Sequence, residues 1–455
     1  MIHQLVIFGA SGDLTTRYLL PALIHLVEAE RAPDDLTILA LSRKKWKTSQ
    51  YREHVHEKLK GCGGNFSQKS MKHVMSRIEY KQITDTGKHR QLKQAIGLLS
   101  NSIIFYLALP PSVFAPTIKA LGQLKLHDES RVIVEKPFGQ DLKTAQKLNQ
   151  LLKQNFSEKN VFRIDHFLGK QTVKNILGFR FANRLFEPCW NNHHIERVEI
   201  IWDETLALEG RASYYDTSGA LKDMIQNHLL QLLCLIGMEP PISFQERDFR
   251  DRKVDLLRAV RQMSAKEAEQ YTVRARYGAG TIARKAIPAY VDEEGVNAQR
   301  GTETFAQVTL WIDNWRWVGV PFTLRSGKAL NRDRQEIAVH FRDVPHVAFG
   351  TDKCPPANVL RMQLNPDRIG ITVNFNGPGE TFDLEEFELK STLTKQEIPA
   401  YGHLLLEAFG GDSTLFIRDD EVEEMWRIMD PIATAWKKGQ VKLQTYSAGS
   451  SGPNI

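Results

Sequence analysis

Short apolar runs alternate with helical patterns along the first third of the chain. Leu5-Val6-Ile7-Phe8 stops at Gly9, and similar runs cover 38–41, 103–107, 132–134 and 162–164. Residues 19–27 and 142–152 have the three- and four-residue apolar spacing of helices. Strands that are apolar throughout are typical of a parallel sheet covered by helices. The pattern therefore predicts an α/β domain over residues 1–165.

Strand-like segments follow one another more closely after residue 165. They cover 305–312, 320–324, 337–341, 359–364 and 371–375, and turn residues separate several of them. This spacing predicts a mostly antiparallel sheet, covered by helices at about 221–235, 401–410 and 419–437. We predict a larger α+β domain over residues 166–445. Residues 446–455 are rich in glycine and serine, and we expect a flexible tail there.

Composition and charge narrow the class of protein. The 455 residues are 42% hydrophobic and 25% charged, which is globular composition and excludes a mainly disordered chain. The net charge of +6 is small for this length, so we expect small anionic ligands rather than nucleic acid. No apolar run is long enough to span a membrane, and the N-terminus lacks a signal-peptide layout. We predict no membrane partner.

The cysteines give no sign of a metal or disulfide site. They are scattered without paired spacing, at Cys62, Cys189, Cys234 and Cys354. Zinc sites and disulfide frameworks use closely spaced pairs, so neither is predicted. The expectation is a reducing, cytoplasmic setting.

A glycine-containing loop lies between the first strand and the first helix. It reads Gly9-Ala10-Ser11-Gly12-Asp13-Leu14. Glycines at this point let a backbone approach a pyrophosphate, and a helix N-terminus favours the phosphate charge. The spacing has one glycine fewer than the full dinucleotide fingerprint, so a tight turn without a ligand is the alternative. Its place in an α/β unit favours a Rossmann-type nucleotide-binding domain.

The end of the second predicted strand indicates which nucleotide is bound. NAD-selective domains usually have an acidic residue there for the ribose hydroxyls, but this chain has Ser42-Arg43-Lys44-Lys45. The guanidinium of Arg43 suits a 2′-phosphate, so we predict NADP as the cofactor. A solvated basic loop is the alternative, and it fits Lys44 and Lys45 better than Arg43.

Charged residues follow the strand that closes the first domain. Asp165, His166 and Lys170 lie in the segment RIDHFLGK, after residues 162–164. A helical turn that begins after Asp165 would place His166 and Lys170 on one face, where two cations could bind a phosphate. The alternative is a cluster of solvated charges at a domain hinge.

A histidine lies on an apolar helical stripe in the second domain. The stripe comprises positions 221, 224, 225, 229 and 232, and His228 falls on it. A lone histidine there is more often a hydrogen-bonded core residue than a catalyst. If Asp165 meets His228, the carboxylate could orient the imidazole and form a general-base dyad.

Further cations follow predicted strands. Lys136 follows Glu135 at the end of a buried strand, which favours a position in the cleft. Arg325 and Lys328 lie in the turn of GVPFTLRSGKALN. A basic turn is usually solvated surface, but here it would add cations for an anionic substrate.

These motifs together resemble the glucose-6-phosphate dehydrogenase family over nearly the whole chain. The resemblance rests on a series of blocks in order, among them GASGDL, ALPPSVF, EKPFG, RIDHFLGK, RFANRLFEPCWN, DMIQNHLLQ, GVPFTLRSGKAL and LFIRDDEVEEMWRI. EKP alone is weak, because other sugar oxidoreductases share it.

The resemblance implies an enzyme that oxidises D-glucose 6-phosphate to 6-phospho-D-glucono-1,5-lactone with NADP, the first step of the oxidative pentose phosphate pathway. It implies that His228 takes the C1 hydroxyl proton, with support from Asp165. No metal is implied, because a histidine base and a nicotinamide need none. The implied assembly is a homodimer or homotetramer, with the antiparallel sheet forming a dimer interface.

The same resemblance implies the ligand contacts. His166 and Lys170 hold the sugar phosphate, and Lys136 contacts the sugar near the nicotinamide. Pro137 helps to arrange the cleft as a cis peptide bond. The remaining contacts to the sugar and its phosphate fall on Glu204, Asp223 and Lys328.

Three residues depart from the family pattern. Phe167 stands where tyrosine is usual, Gln171 replaces a glutamate, and Asp333 stands where a basic residue is common. These departures leave open an enzyme for another sugar phosphate or for an unphosphorylated hexose. A non-catalytic homologue that binds NADP(H) is a third alternative, although it would not need the retained base.

Overall fold

The chain divides into two compact units. The computed structural model describes residues 2–61, 66–97, 101–208, 210, 212–346, 355–379, 383–394 and 396–454, without the side chains of 213 and 214. Cys62 and Cys354 lie outside the described residues. The first unit comprises 1–171, 241–251 and 396–423, and the second comprises 172–240, 252–395 and 424–455. This corrects the single predicted boundary at 165, because two later segments join the first unit.

The first unit contains a parallel sheet. Among the described residues its strand order is β3-β2-β1-β4-β5-β6, and every neighbouring pair is parallel. This confirms the predicted Rossmann-type domain, whose strand order reverses between β1 and β4. The apolar runs are buried as expected, but β3 was not predicted. The strands are β1 Gln4–Phe8, β2 Thr37–Ser42, β3 Ile78–Gln82, β4 Ile103–Leu107, β5 Arg131–Glu135 and β6 Val161–Ile164.

Helices connect these strands. A π-helix at Thr15–Leu19 leads directly into the first α-helix. The helix after β5 begins with a capping box in which the Asp141 and Thr144 side chains bond to each other's backbone amides. The α-helices are α1 Leu20–Glu28, α2 Thr48–Gly61, α3 Gln68–Ser76, α4 His89–Ile96, α5 Pro111–Gly122 and α6 Leu142–Asn155.

The second unit contains a mostly antiparallel sheet, as predicted. Its order among the described residues is β16-β15-β14-β13-β7-β12-β11-β8-β17. Only the pairs β7–β12 and β8–β17 are parallel within this described sheet. The strands are β7 Ile195–Asp203, β8 Thr272–Gly278, β9 Gly280–Ile282, β10 Lys285–Ile287, β11 Phe305–Trp311, β12 Pro321–Gly327, β13 Arg334–Phe341, β14 Val359–Leu364, β15 Asp367–Asn376, β16 Leu384–Thr392 and β17 Leu443–Ser447, with β9 and β10 forming a separate hairpin.

The prediction of a flexible tail at 446–455 is wrong. Strand β17 pairs with β8, which places Tyr446 opposite Tyr277. Tyr446 is 4% exposed and packs in an apolar cluster with Phe305. The Asn331 amide also donates to the Ser450 carbonyl at 2.9 Å. The glycine- and serine-rich composition does not reveal these partners, because they come from distant strands.

The remaining helices include one that belongs to the first unit. We predicted that the helix near 401–410 covers the antiparallel sheet, but its last turn accepts hydrogen bonds from Ile2 and Arg131 of the first unit. No helix among the described residues is both long and apolar enough to cross a membrane. The helices are α7 Gln171–Phe181, α8 Ala212–Ala220, α9 Leu230–Gly237, α10 Glu246–Ala259, α11 Ala265–Tyr271, α12 Ala400–Gly410 and α13 Asp419–Lys437, and a π-helix at Leu221–Leu229 precedes α9.

An ion pair between a fully buried arginine and a half-buried glutamate supports β6. Arg163 is fully buried and donates to both oxygens of Glu158, at 2.6 and 3.3 Å. Removing one partner of a buried pair leaves the other charge uncompensated. We therefore expect Glu158→Ala to lower the free energy of unfolding by about 3 kcal/mol in urea denaturation.

Glu129 provides a matched control nearby. Its ion pair with Lys159 spans 3.7 Å, and both side chains are more than half exposed. Glu129→Ala should change the free energy of unfolding by less than about 1 kcal/mol. Equal effects of the two substitutions would contradict a stabilising role for the buried pair.

Candidate active site

The candidate residues of the first unit lie at one edge of its sheet. The loop 9–14 follows β1, Arg43 follows β2, Lys136 follows β5 and Asp165 follows β6. Because the strands are parallel, their carboxyl ends share an edge, which is where ligands bind in such sheets. The structure therefore brings together residues that the sequence offered in separate motifs.

The loop 9–14 is tied to the strands beside it. A Cβ atom at Gly9, whose φ is +76°, would lie 2.0 Å from the Ala108 carbonyl oxygen, so glycine is required. The Ala10 amide donates to Leu41 and the Tyr51 hydroxyl donates to the Ala10 carbonyl, both at 3.0 Å. Ser11 and Leu14 are half-buried, and Gly12 and Asp13 are exposed. A fixed loop with an exposed tip at the strand-order reversal fits the phosphates of a dinucleotide.

Side chains of β3 donate hydrogen bonds to the backbone around Arg43. The Arg43 carbonyl accepts a hydrogen bond from Gln82 at 3.0 Å, and the Lys44 carbonyl accepts one from Tyr80 at 2.5 Å. The Arg43 side chain is exposed. A fixed backbone with an exposed guanidinium, and no acidic residue at the end of β2, fits a 2′-phosphate.

Lys136 follows a buried carboxylate. Glu135 accepts hydrogen bonds from the hydroxyls of Tyr106 and Tyr401. Burial raises the pKa of Glu135 to about 7, against the opposing effects of the Tyr106 hydrogen bond and the Lys136 charge. The Lys136–Pro137 peptide bond is cis, as expected.

The segment after β6 forms a 3₁₀ turn rather than the predicted helical turn. It spans His166–Gly169, and Asp165, 2% exposed, caps it by accepting from the Phe167 amide at 2.9 Å. Lys170 is extended and lies beyond the turn. A shared helix face therefore does not bring the cations together. Both instead contact the Phe167 ring, whose centroid lies 5.0 Å from the His166 ring centroid and 4.4 Å from the Lys170 Nζ.

Tyr401 contacts both Glu135 of β5 and His166 of the turn after β6. Its ring stacks on His166 at 5.6 Å with an interplanar angle of 7°, and its hydroxyl bonds to Glu135. The Tyr401 pKa is raised by burial first and by the Glu135 charge second. Local sequence gave no sign of this residue, because it arrives from a helix more than two hundred positions away.

His228 lies on a π-helix in the second unit, where we predicted an α-helix. The side chains from Ile225 onward are all buried, and His228 is 1% exposed. Glu303 caps the helix by accepting from the Leu221 amide at 3.0 Å. A Cβ at Gly219, where φ is +66°, would lie 2.3 Å from that carboxylate, so the approach requires glycine. Glu303 is a supporting residue that sequence reasoning missed.

Glu204 and Lys328 meet in the second unit. The Lys328 Nζ lies 2.6 Å from Glu204, whose other oxygen accepts from the Trp202 ring at 3.2 Å. The Lys328 ammonium also lies 5.4 Å from the Tyr215 ring centroid. Asp223 belongs to the same neighbourhood, because its charge, after burial, contributes to the raised pKa of Tyr215. The structure thus groups three of the predicted substrate contacts.

Arg325 forms an ion pair with a buried carboxylate of the neighbouring strand. It forms a two-point ion pair with Asp203, with distances of 3.2 and 2.9 Å, and donates to the Ser451 carbonyl at 3.0 Å. Burial raises the pKa of Asp203, which the Arg325 charge opposes. The guanidinium is therefore committed to structural partners.

Comparison with known proteins decides the family. The model described as glucose-6-phosphate dehydrogenase, NAD binding domain, matches residues 6–175. The model described as glucose-6-phosphate dehydrogenase, C-terminal domain, matches residues 177–455. The chain belongs to the glucose-6-phosphate dehydrogenase family. The resemblance inferred from the motifs is confirmed.

Relatives of this family match along nearly their whole length. The chain is 42% identical to glucose-6-phosphate 1-dehydrogenase of Treponema pallidum, over 99% of this chain and 92% of that protein. It is 39% identical to the Zymomonas mobilis enzyme of the same name, over 100% and 96%. A solved structure of glucose-6-phosphate dehydrogenase in complex with its substrate glucose-6-phosphate has a TM-score of 0.90 and 32% identity, covering 100% of this chain and 96% of that chain.

Two of the three departures from the family pattern, Phe167 and Asp333, make side-chain contacts in the structure. Phe167 is 3% exposed and packs against His166 and Lys170 without a hydroxyl. The backbone amide of Gln171 donates to the Gln396 side chain at 2.9 Å, a bond that glutamate would form as well, so the structure does not explain the glutamine. Asp333 accepts from the Thr205 amide and hydroxyl at 2.6 and 3.0 Å, which fixes the turn after Glu204.

The raised pKa of Glu135 predicts that the stability of the fold depends on pH. With its pKa raised from about 4.5 to about 7, Glu135 keeps its proton in the folded chain where the unfolded chain has lost it. Its contribution to stability is therefore present below pH 4.5 and declines as the pH rises to about 7. Glu135→Gln should gain stability relative to the wild type across this window and keep that gain at higher pH.

Thermal unfolding at pH 5 and pH 8 measures the effect. The Tm difference between Glu135→Gln and the wild type should be larger at pH 8. Glu79→Gln, which alters an exposed carboxylate of the same sheet, is the control and should show no such change. A pH-independent difference for Glu135→Gln would contradict the raised pKa.

Proposed function

We propose that this chain is an NADP-dependent glucose-6-phosphate 1-dehydrogenase. It oxidises D-glucose 6-phosphate at C1 to 6-phospho-D-glucono-1,5-lactone, the first step of the oxidative pentose phosphate pathway. The observation that carries the proposal is full-length similarity to a dehydrogenase solved with glucose 6-phosphate, in a chain that retains the matching motif residues. The grouping of cations at the edge of the sheet supports an anionic substrate and cofactor.

The first unit holds the cofactor in this proposal. NADP, when bound, supplies the acceptor for the hydride that leaves C1 of the sugar. The loop of Gly9, Ser11, Gly12, Asp13 and Leu14 holds its pyrophosphate. Arg43 binds the 2′-phosphate, because a guanidinium offers several donors to phosphate oxygens. Lys136 contacts both the cofactor and the sugar.

His228 is the proposed general base. It takes the proton of the C1 hydroxyl on a ring nitrogen, and Asp165 orients the imidazole and stabilises its charged form. Deep burial of His228 and Asp165 keeps bulk water from competing for the proton. His166 and Lys170 bind the phosphate of the sugar, and the other contacts come from Lys136, Glu204, Asp223 and Lys328.

We also propose a homodimer or homotetramer located in the cytoplasm. The large apolar side chains of Phe375, Phe387 and Leu389 are each more than 40% exposed on β15 and β16. Exposed apolar side chains grouped on one surface favour an interface between copies of the chain. The thiol of Cys189 is free, which fits a reducing compartment.

Reduction of NADP with a panel of sugars tests the proposal. Glucose 6-phosphate should give the highest kcat/KM, ahead of glucose, other hexose phosphates and NAD-supported reactions. A preference for another sugar would support an enzyme reshaped around Phe167 and Asp333. Absence of reduction with every sugar, together with tight NADP binding, would support a non-catalytic homologue.

The role of His228 predicts a defect in turnover. His228→Asn keeps a polar side chain of similar size but removes the base, so kcat should fall by a factor of about 10² or more. The KM for glucose 6-phosphate should change little, because the substrate contacts remain. Initial-rate kinetics on a variant with a wild-type circular dichroism spectrum measure this. A near-normal kcat would contradict the assignment.

The role of Arg43 predicts a change in cofactor preference. Arg43→Ala should raise the KM for NADP about tenfold or more and leave that for NAD nearly unchanged, because only NADP carries the 2′-phosphate. Lys45→Ala removes an exposed charge from the same loop and is the matched control. Equal losses for both nucleotides would assign Arg43 to the fold instead.

A further inference from the structure

The turn that carries Lys328 forms hydrogen bonds with residues 446–450, near the C-terminus. The Tyr446 hydroxyl donates to the Lys328 carbonyl at 2.6 Å and accepts from the Thr304 hydroxyl at 2.9 Å. The Gly449 amide donates to the Ala329 carbonyl at 2.8 Å. The Asn331 amide donates to the Ser450 carbonyl at 2.9 Å. We call residues 446–450 the C-terminal clamp.

The turn needs such support because its backbone is strained. Ala329 has a φ of +53°, a conformation that residues with a Cβ rarely adopt. The Lys328 amide donates to the Thr304 carbonyl, and the Ala329 and Leu330 amides donate to the Leu206 and Glu204 carbonyls, all at 3.0 Å. Strained conformations persist only where the surroundings fix them from several sides. The clamp supplies the partners for the carbonyls of Lys328 and Ala329.

The clamp is itself firmly placed. Tyr446 is 4% exposed, lies opposite Tyr277 in the β8–β17 pair, and packs with its ring centroid 6.0 Å from that of Phe305. Gly449 has a φ of +83°, and a Cβ there would lie 2.0 Å from the Thr281 carbonyl oxygen. The Tyr446 hydroxyl therefore reaches the turn from a fixed position.

We propose that the C-terminal clamp positions Lys328 for substrate binding, with Tyr446 as the principal positioning residue. Through the backbone of 328–329, the clamp holds the Lys328 ammonium beside Glu204, 2.6 Å away. Loss of the Tyr446 hydroxyl leaves the Lys328 carbonyl without this partner, and the strained turn relaxes. The inference rests on the proposed function, in which Lys328 contacts the sugar phosphate.

Tyr446→Phe tests this by steady-state kinetics. The KM for glucose 6-phosphate should rise about three- to tenfold, as expected for one lost hydrogen bond, while kcat stays within about twofold. In a Lys328→Ala background, the same substitution should raise the KM no further, because the side chain that it positions is gone.

Tyr277→Phe is the matched control. Tyr277 lies in the same aromatic cluster and also has a buried hydroxyl, bonded to Glu293 and to the Leu208 amide rather than to the Lys328 turn. The KM of Tyr277→Phe for glucose 6-phosphate should stay within about twofold of the wild-type value, even if the Tm of this variant falls as much as that of Tyr446→Phe. This separates positioning from a general loss of packing.

The outcomes distinguish the inference from the function on which it rests. A KM for Tyr446→Phe equal to that of Tyr277→Phe would overturn the clamp, as would a full additional rise in the Lys328→Ala background. In either case an active wild type and an impaired Lys328→Ala would leave the proposed function standing. A normal KM for Lys328→Ala would overturn the role of Lys328 and with it the clamp. A wild type inactive on glucose 6-phosphate would overturn the proposed function as well.

Discussion

The parallel order of the strands in the first unit is the constraint on which the candidate site depends. It directs the carboxyl ends of β1, β2, β5 and β6 to one edge. Each strand therefore delivers its next residues to the same place, although they are separated by up to about 155 positions in sequence. At the end of β1 the Ala108 carbonyl lies so close to the chain that only glycine fits at position 9.

A second feature common to both units is that buried polar groups support the cationic residues. Glu135 bonds Tyr401, whose ring stacks on His166, and Tyr446 bonds the turn that carries Lys328. An exposed lysine or histidine loses side-chain entropy when it binds an anion, and a fixed backbone or ring reduces that loss. Glu303 serves the helix of His228 in a similar way by binding its first amide. These groups fix the positions of the candidate site residues.

Sequence reasoning predicted the elements with a local signal. The apolar strands β1, β2, β4, β5 and β6 and the residues that follow them were predicted, because burial on both faces and glycine-containing turns are visible locally. Strand β16 was missed because nearly every residue of it is exposed, and β17 because its partners lie more than a hundred positions away.

The contacts between the candidate site residues were harder to predict than the residues themselves. His166 and Lys170 were expected to share a helix face, but a ring between them brings them together. Arg325 was expected to add a cation for an anionic substrate, and its ion pair with Asp203 was not predicted. Asp203 lies on a strand whose parallel pairing with β12 has no local signature. Tyr401, Glu303 and Tyr446 act through contacts over long sequence separations, which a pattern in one segment cannot reveal.

The transfer of deuterium from glucose 6-phosphate labelled at C1 tests the central claim most directly. The protein is incubated with this substrate and NADP. The reduced nucleotide is then isolated, and its mass is measured by mass spectrometry. If the chain oxidises C1 by direct hydride transfer, the reduced nucleotide carries the deuterium. Unreduced NADP, or reduced nucleotide without deuterium, would contradict the proposed reaction.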